Sequence, residues 1–419
     1  MRYAPIDLGR WVLWGVTALV FLAAPHVFRG GFALTLLTQM GTLIIFALSY
    51  NMLLGQGGML SFGHAVYSGL GAYVVVHALN FIGKGSLAFP VALLPLVGGL
   101  AGMFFGVLFG YVTTRRAGTT FALISLGIGE MVFACVLMFP GFFGGEAGVS
   151  TNRVVGQPFL GITFGPAIQV YYLVAAWCFL SMAAMFALTQ TPLGRMANAV
   201  RDNPERAEFV GYNTQRVRFL QLVLSSFFAG VSGALSCINF EIVSAENVSA
   251  IRSGGVLLAT YIGGVPFFFG PVVGAVVFVF FVVALSGFTK AWLLYLGLFF
   301  VLMVMYAPGG IAALVLMQLP VIRAGRWREL LVPYALALLA ALVALGGLIG
   351  LVEMVYRLSE PGASTVLSVL GIAFDAKSTP PWLVFAAVLG GGLAALRVTA
   401  RRVGERWGAI QQDLQPRAA

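Results

Sequence analysis

Long apolar runs separated by short polar connections make up nearly the whole chain. Stretches with little or no charge recur at about 11–28, 31–54, 64–82, 88–112, 119–140, 170–190, 219–240, 248–265, 269–287, 291–306, 330–352 and 381–397. A helix crosses the hydrocarbon core of a bilayer with about 20 predominantly apolar residues, so the pattern predicts twelve crossings. The stretch 248–265 is short and carries Arg252 near its outer end, and the last is short and closes on Arg397.

The polar connections give the orientation. With the N-terminus in the cytoplasm and strict alternation, seventeen of the 24 lysines and arginines fall inside, the asymmetry expected of a multi-span protein. Acidic residues divide about evenly between the two sides. An even number of crossings then puts both termini in the cytoplasm. Arg2 and Arg10 before an apolar run that reaches Ala23-Ala24 resemble a cleaved signal peptide. The run continues to Phe28, however, and its loss would break the parity, so a retained first helix is expected.

Composition agrees. Of the 419 residues 60% are hydrophobic and 9% charged, against roughly 25% charged in soluble proteins, and the mean hydropathy is +0.97. Disorder and a soluble enzyme are both excluded. The net charge of +10 follows from membrane topology and needs no nucleic acid. Cys135, Cys178 and Cys237 lie in apolar runs without the spacing of a metal or disulfide site. Lys84, Lys290 and Lys377 are the only lysines, and none completes a phosphate-binding GxxxxGK[ST] loop. No Ser-His-Asp arrangement, HExxH or metal-spaced set occurs among His26, His64 and His77, so neither an enzyme nor a metal site is expected.

One long charged stretch lies between the sixth and seventh runs, from Gly194 and Arg195 through Arg201, Asn203, Pro204, Glu205, Arg206, Ala207 and Glu208 to Gly211 and Asn213. Asn203 suits a helix N-cap and Pro204 the first helical position. Glu205 complements the helix dipole, and Gly211 can end the helix in the left-handed region. The spacing predicts a helix over 204–210, on the order of 10 Å long, with Ala207 and Val210 as a small apolar face. An ordinary basic loop is the plainer explanation.

Glu205-x-Ala207-x-x-x-Gly211 has the spacing of the EAA coupling motif of ABC importer permeases. The wider stretch from Gly194 to Asn213 resembles the coupling loop of LivM-type branched-chain amino acid permeases. A second string is similar to the N-terminal signature of LivM-type and LivH-type permeases: Asn51-Met-Leu-Leu-Gly55-Gln-Gly57-Gly58-Met-Leu-Ser61-Phe-Gly63-His64. Its glycines interrupt an apolar run, and irregular backbone at membrane depth needs shelter by protein or a cavity. Gly263-Gly264-Val265-Pro266 and Gly270-Pro271 interrupt the second half in the same way, and paired breaks point to a transport pathway. Close packing of helices is the plainer explanation of any single glycine. Asn51, Gly55, Gly58, Ser61, Gly63, His64, Gly263 and Gly264 are the candidates for the pathway, and a hydrogen-bonded structural role for His64 competes.

Glu130 falls mid-way along the fifth run. A charge at the bilayer centre costs roughly 3 kcal/mol, so Glu130 is expected to face the bundle interior, find a donor or be protonated. It lies either on the solute path or in a helix–helix hydrogen bond.

The resemblance covers about residues 30–315. It implies an all-α, polytopic bundle of the type II-like importer class, in the bacterial inner membrane. It further implies a second LivH-like permease, two cytoplasmic ATPases that use ATP and Mg, and a periplasmic binding protein. The cytoplasmic coupling loop is expected over 194–216. Residues 1–30 form a first helix and 31–318 the permease core. Residues 319–419 form an extension with two further spans, a periplasmic loop at 353–380 and a basic tail. The expected solute is a branched-chain amino acid. Urea, amides and aromatic or organic acids are the alternatives within the class, and an ion-driven secondary transporter is the alternative outside it.

Overall fold

A computed structural model describes residues 8–155, 161–359, 366–369 and 372–414; Arg2, Glu360 and Arg417 lie outside them. The chain is almost wholly helical, as a bilayer demands of a backbone that must satisfy its own hydrogen bonds. In order come α1 (Leu8–Val27), α2 (Gly31–Asn51), α3 (Ala65–Gly83), α4 (Leu94–Thr113) and α5 (Gly118–Met138). A single turn, α6 (Pro140–Phe143), leads to α7 (Ala167–Gln190) and the short α8 (Pro192–Asp202) and α9 (Pro204–Phe209). Then follow α10 (Thr214–Phe240), α11 (Ala250–Gly263), α12 (Gly270–Val279), α13 (Trp292–Tyr306), α14 (Gly310–Arg323), α15 (Arg328–Ser359) and α16 (Thr379–Leu414). Two small antiparallel ribbons complete the list: β1 (Val149–Ser150) with β2 (Ile242–Val243), and β3 (Val366–Val369) with β4 (Ile372–Asp375).

Among the described residues nine helices are long and apolar enough to cross a membrane, or ten if α13 and α14, bent by 45°, form one span. The two further expected runs, 11–28 and 248–265, correspond to α1 and α11. The run 248–265 becomes the 14-residue α11, about 21 Å long against the roughly 30 Å hydrocarbon core. α1 runs over 20 residues, Leu8–Val27, of which the apolar stretch Val12–Val27 is fully described. Run 269–287 keeps its length but changes from α12 to a π-helical turn at Phe280–Ala284.

The chain divides into two compact units, Met1–Gly287 with Leu296–Ala313, and Phe288–Tyr295 with Leu314–Ala419. The first is built around α10, 89% of whose apolar stretch is buried. Small residues let other helices approach its backbone. A Cβ on Gly230 would strike the Gly98 carbonyl of α4, and one on Gly233 the Ser68 carbonyl of α3. The second unit is an antiparallel pair, with Gly347 of α15 against Leu389 of α16 and Gly392 against Ala344. Val321, Leu330 and Ile410 close one end of it, and Met354, Ala376 and Phe385 close the other. The expected extension began at 319; the second unit begins at 314 and takes in 288–295 as well.

Candidate coupling and translocation site

The charged segment folds into two capped helices rather than one. Thr191 caps α8 through its hydroxyl, which accepts from the Gly194 amide at 3.3 Å. Gly194 is required there, because a Cβ would lie 2.8 Å from the Thr189 Cα. Gly194, Ala197 and Val200 form the buried stripe of α8, and Arg195 is exposed on its other side. Asn203 Oδ1 accepts from the Arg206 amide at 2.9 Å to begin α9, with Pro204 and Glu205 in the first turn. Gly211, at φ +93°, ends it: its amide donates to Glu208 O at 2.8 Å and the Tyr212 amide to Ala207 O at 3.1 Å. The Thr214 hydroxyl donates to Glu208 Oε1 at 2.7 Å, which ties α9 to the start of α10.

The face predicted for α9 is corrected. Ala207 turns inward and packs with Ala197, Val200 and Val217, so it belongs to the core of the segment. Val210 and Phe209 are 71% and 90% exposed. Phe209 escaped the sequence reading, although it is the largest apolar side chain in α9.

The first glycine-rich break lies against this segment. Met52–Gln56 is a π-helical turn, a locally widened, underwound stretch frequent at functional sites. Arg201 Nη1 donates to the Gly55 carbonyl, while its Nε lies 2.8 Å from Asp202 Oδ1. Gly58 sits at φ +64°, where a Cβ would lie 2.7 Å from Arg201 Cγ. Gln221 Nε2, from α10, donates to Met52 O at 2.9 Å, and Ser225 Oγ to Ser49 O at 2.6 Å. Gln221 and Ser225 are four apart and so share one face of α10.

The second break arrives at the same place. A Cβ on Gly55 would lie 2.7 Å from Val265 O and 2.9 Å from Asn51 Cγ. Gly264, at φ +117°, meets Gly310, at φ +72°, and Gly263 meets the backbone of Gly270 and Gly274. Asn51 is buried with its Oδ1 lacking a donor among the described residues. The structure thus brings together Asn51, Gly55, Gly58, Arg201, Gly263 and Gly264, residues from opposite halves of the first unit.

Ser61, Gly63 and His64 form a separate layer. The Ser61 carbonyl accepts from Tyr50 OH at 2.9 Å, the Phe62 amide donates to Ser125 Oγ at 3.0 Å, and the Ala65 amide to Ser253 Oγ at 2.9 Å. A Cβ on Gly63 would strike the Ser125 carbonyl of α5. His64 is fully buried, stacked on Phe46 with ring centroids 5.5 Å apart. Its Nε2 lies 3.0 Å from Ser49 Oγ, whose own proton goes to Phe46 O at 2.7 Å. That hydroxyl must therefore accept, which assigns the proton to Nε2 and leaves Nδ1 a bare lone pair. A second proton would have no acceptor. In this arrangement the His64 ring is neutral and donates from Nε2 to Ser49 Oγ.

Glu130 departs from expectation. Its neighbour Gly129 faces Gly63, but Glu130 itself is exposed on the surface of the chain and has no partner among the described residues. In helical terms Ser125, Gly129, Val132 and Val136 are the buried stripe of α5 and Glu130 lies off it.

Residues 32–308 match the family described as the branched-chain amino acid transport system / permease component. The chain belongs to this family. It is similar to the high-affinity branched-chain amino acid transport system permease protein LivM of Escherichia coli K12, at 27% identity over 329 residues, covering 73% of this chain and 76% of that one. The LivM of Salmonella typhimurium LT2 is also 27% identical, over 297 residues, covering 66% and 69%. No solved structure matches. The permease match runs from the start of α2 to the end of α13 and contains the whole junction of α8 and α9 with both glycine breaks; it leaves out α15 and α16. The chain is a multi-pass membrane protein of a transport system.

Proposed function

We propose that the chain is a permease subunit of an ATP-driven importer, in which α8 and α9 carry movement from cytoplasmic ATPase subunits into the membrane bundle. The observation that carries this reading is the Arg201 contact with Gly55: the charged segment is bonded directly to a helix break. Phe209, Val210 and Glu205 are the docking tip. Ala207 packs on Ala197 and Val200, so α8 follows α9. Arg201 pulls on the π-helical turn, which can change its winding at small cost. The Gly55–Val265 approach then passes the displacement to the second half of the unit.

Glu130 takes its place in the same scheme. An ionisable group facing out of a single chain at mid-bilayer needs protein or water over it. A second permease subunit packed along α5 supplies that cover, with the solute path between the two. ATP and Mg are used by two ATPase subunits, and a periplasmic binding protein delivers the solute. The names of the E. coli and Salmonella relatives make a branched-chain amino acid the proposed solute. The excess of arginine on the side of α8 and α9 supports a cytoplasmic position for that side; both termini are proposed to lie there, in a bacterial inner membrane.

The test is reconstitution of the chain with its partner subunits in vesicles and measurement of leucine uptake on addition of ATP. Glu205→Lys and Gly211→Val are each expected to reduce uptake and ATPase co-purification together. Unchanged uptake and unchanged co-purification in both variants would remove the coupling assignment. For Glu130→Gln, full uptake would remove it from the path.

A further inference from the structure

The α15–α16 pair lies beyond the family match and contains a groove that the transport reading leaves without a role. The groove encloses about 620 Å3 and is lined by Glu329, Val332, Pro333 and Leu336 of α15 and by Thr399, Arg402, Glu405 and Arg406 of α16. The residues from α15 follow a spacing of three to four, and so do Thr399, Arg402 and Arg406, so each helix presents one face to the groove.

Its charges are not evenly matched. Glu329 receives two bonds from Arg326, at 2.8 and 3.1 Å, and Asp413 receives a third at 2.6 Å. Those two carboxylates raise the already high pKa of the Arg326 guanidinium further. Glu405 is held by Arg401 at 3.1 Å. Each acid lining the groove therefore already shares an arginine that points elsewhere. Among the described residues no carboxylate lies within ion-pair distance of Arg402 or Arg406, although Arg406 is near enough to Glu329 to interact with its charge.

The helices also fix the depth. α16 has 36 residues, about 54 Å against a hydrocarbon core of about 30 Å, so part of it must extend beyond the core. The end carrying Arg323, Arg326, Arg328, Arg401, Arg402 and Arg406 is the basic end, and the other end offers Arg357 and Lys377. Basic ends of spans face the cytoplasm. The pairing of Gly392 with Ala344 puts Arg406 level with the start of α15 and Thr399 level with Leu336. The groove is thus charged toward water and apolar (Val332, Pro333, Leu336) toward the membrane.

We propose that this groove holds the phosphate-bearing headgroup of an anionic phospholipid of the inner leaflet, with Arg402 and Arg406 on the phosphate and Leu336 and Val332 along the start of an acyl chain. Thr399, whose hydroxyl donates back to Ala395 O at 2.9 Å, lines the membrane edge of the groove. Basic grooves between helices on the cytoplasmic side have the chemistry for such headgroups, and the volume suits one. The inference concerns the second unit alone and stands whether or not the coupling scheme is right.

The experiment is native mass spectrometry of the delipidated full-length chain, titrated separately with dioleoylphosphatidylglycerol, dioleoylphosphatidylcholine and inorganic phosphate. Phosphatidylglycerol is expected to bind ahead of phosphatidylcholine and to weaken about thirtyfold when Arg402→Gln and Arg406→Gln are combined, taking each arginine at its typical value near a membrane surface. Lys377→Gln, at the opposite end, should leave binding unchanged. Leu336→Asn should weaken the lipid and not the phosphate. For the unaltered chain, raised salt should weaken phosphatidylglycerol binding, a check that needs no variant. Equal binding of the two lipids, salt-insensitive binding, or an unaffected double variant would overturn the proposal. Full displacement of the lipid by an equal concentration of inorganic phosphate would overturn the lipid as the source of the anion.

Discussion

The two short helices of the charged segment are neighbours in sequence and opposite in character. α8 is amphipathic, with Gly194, Ala197 and Val200 buried and Arg201 bonded to the backbone of the first glycine break. α9 buries only Ala207 and leaves Phe209 and Val210 open. One helix is joined to the bundle and the other is offered to solvent, although the same stretch of chain holds both. On the coupling function proposed above, the contrast separates two tasks: α9 would receive a partner, and α8 would pass on what it receives. A rigid connection between them is needed, and Asn203 provides it, ending α8 and capping α9 in one residue.

Substitutions can break that contrast at different strengths. Gly58→Val should have the largest effect. A branched side chain at φ +64° is strained, and its Cβ would occupy the space of Arg201 Cγ, so about 3 kcal/mol of stability and most uptake should be lost. The thermal midpoint of the solubilised protein and ATP-driven uptake read the two losses. Arg201→Ala removes a charged donor from a backbone carbonyl, a loss of about 2 kcal/mol, and should abolish uptake while ATPase co-purification persists. Gly211→Val costs about 1–2 kcal/mol through backbone strain alone, because nothing lies within 4 Å of a Cβ there. It should loosen α9 and lower ATPase association, measured as subunit stoichiometry after purification. Phe209→Ala is the smallest in stability, within about 0.5 kcal/mol for so exposed a side chain, and yet should release the ATPase subunits.

The same contrast explains what the sequence could disclose. Asn203, Pro204 and Gly211 announced a capped helix because capping is local chemistry, decided by a few adjacent residues. The face of that helix was misjudged, since two turns hold too few side chains for a periodic pattern to emerge, and Ala207 was assigned outward when Ala197 and Val200 needed it. Glu130 shows a different limit. In a bilayer both the inward and the outward faces of α5 are apolar, so hydropathy cannot say which way a carboxylate points. α11, at 14 residues, is shorter than the apolar run that announced it, because apolar composition does not say where an unbroken helix ends. The two glycine breaks were visible individually. Their meeting at Gly55 and Val265 depends on a fold in which residues more than two hundred positions apart come together.

The division of labour is tested most directly by one paired measurement: leucine uptake and bound ATPase, determined on the same preparation, for Arg201→Ala and Phe209→Ala. The account predicts that Arg201→Ala keeps its ATPase subunits and loses uptake, whereas Phe209→Ala loses both. If Arg201→Ala transports at the unaltered rate, or if Phe209→Ala retains its ATPase subunits in full, the separation of docking from transmission is contradicted.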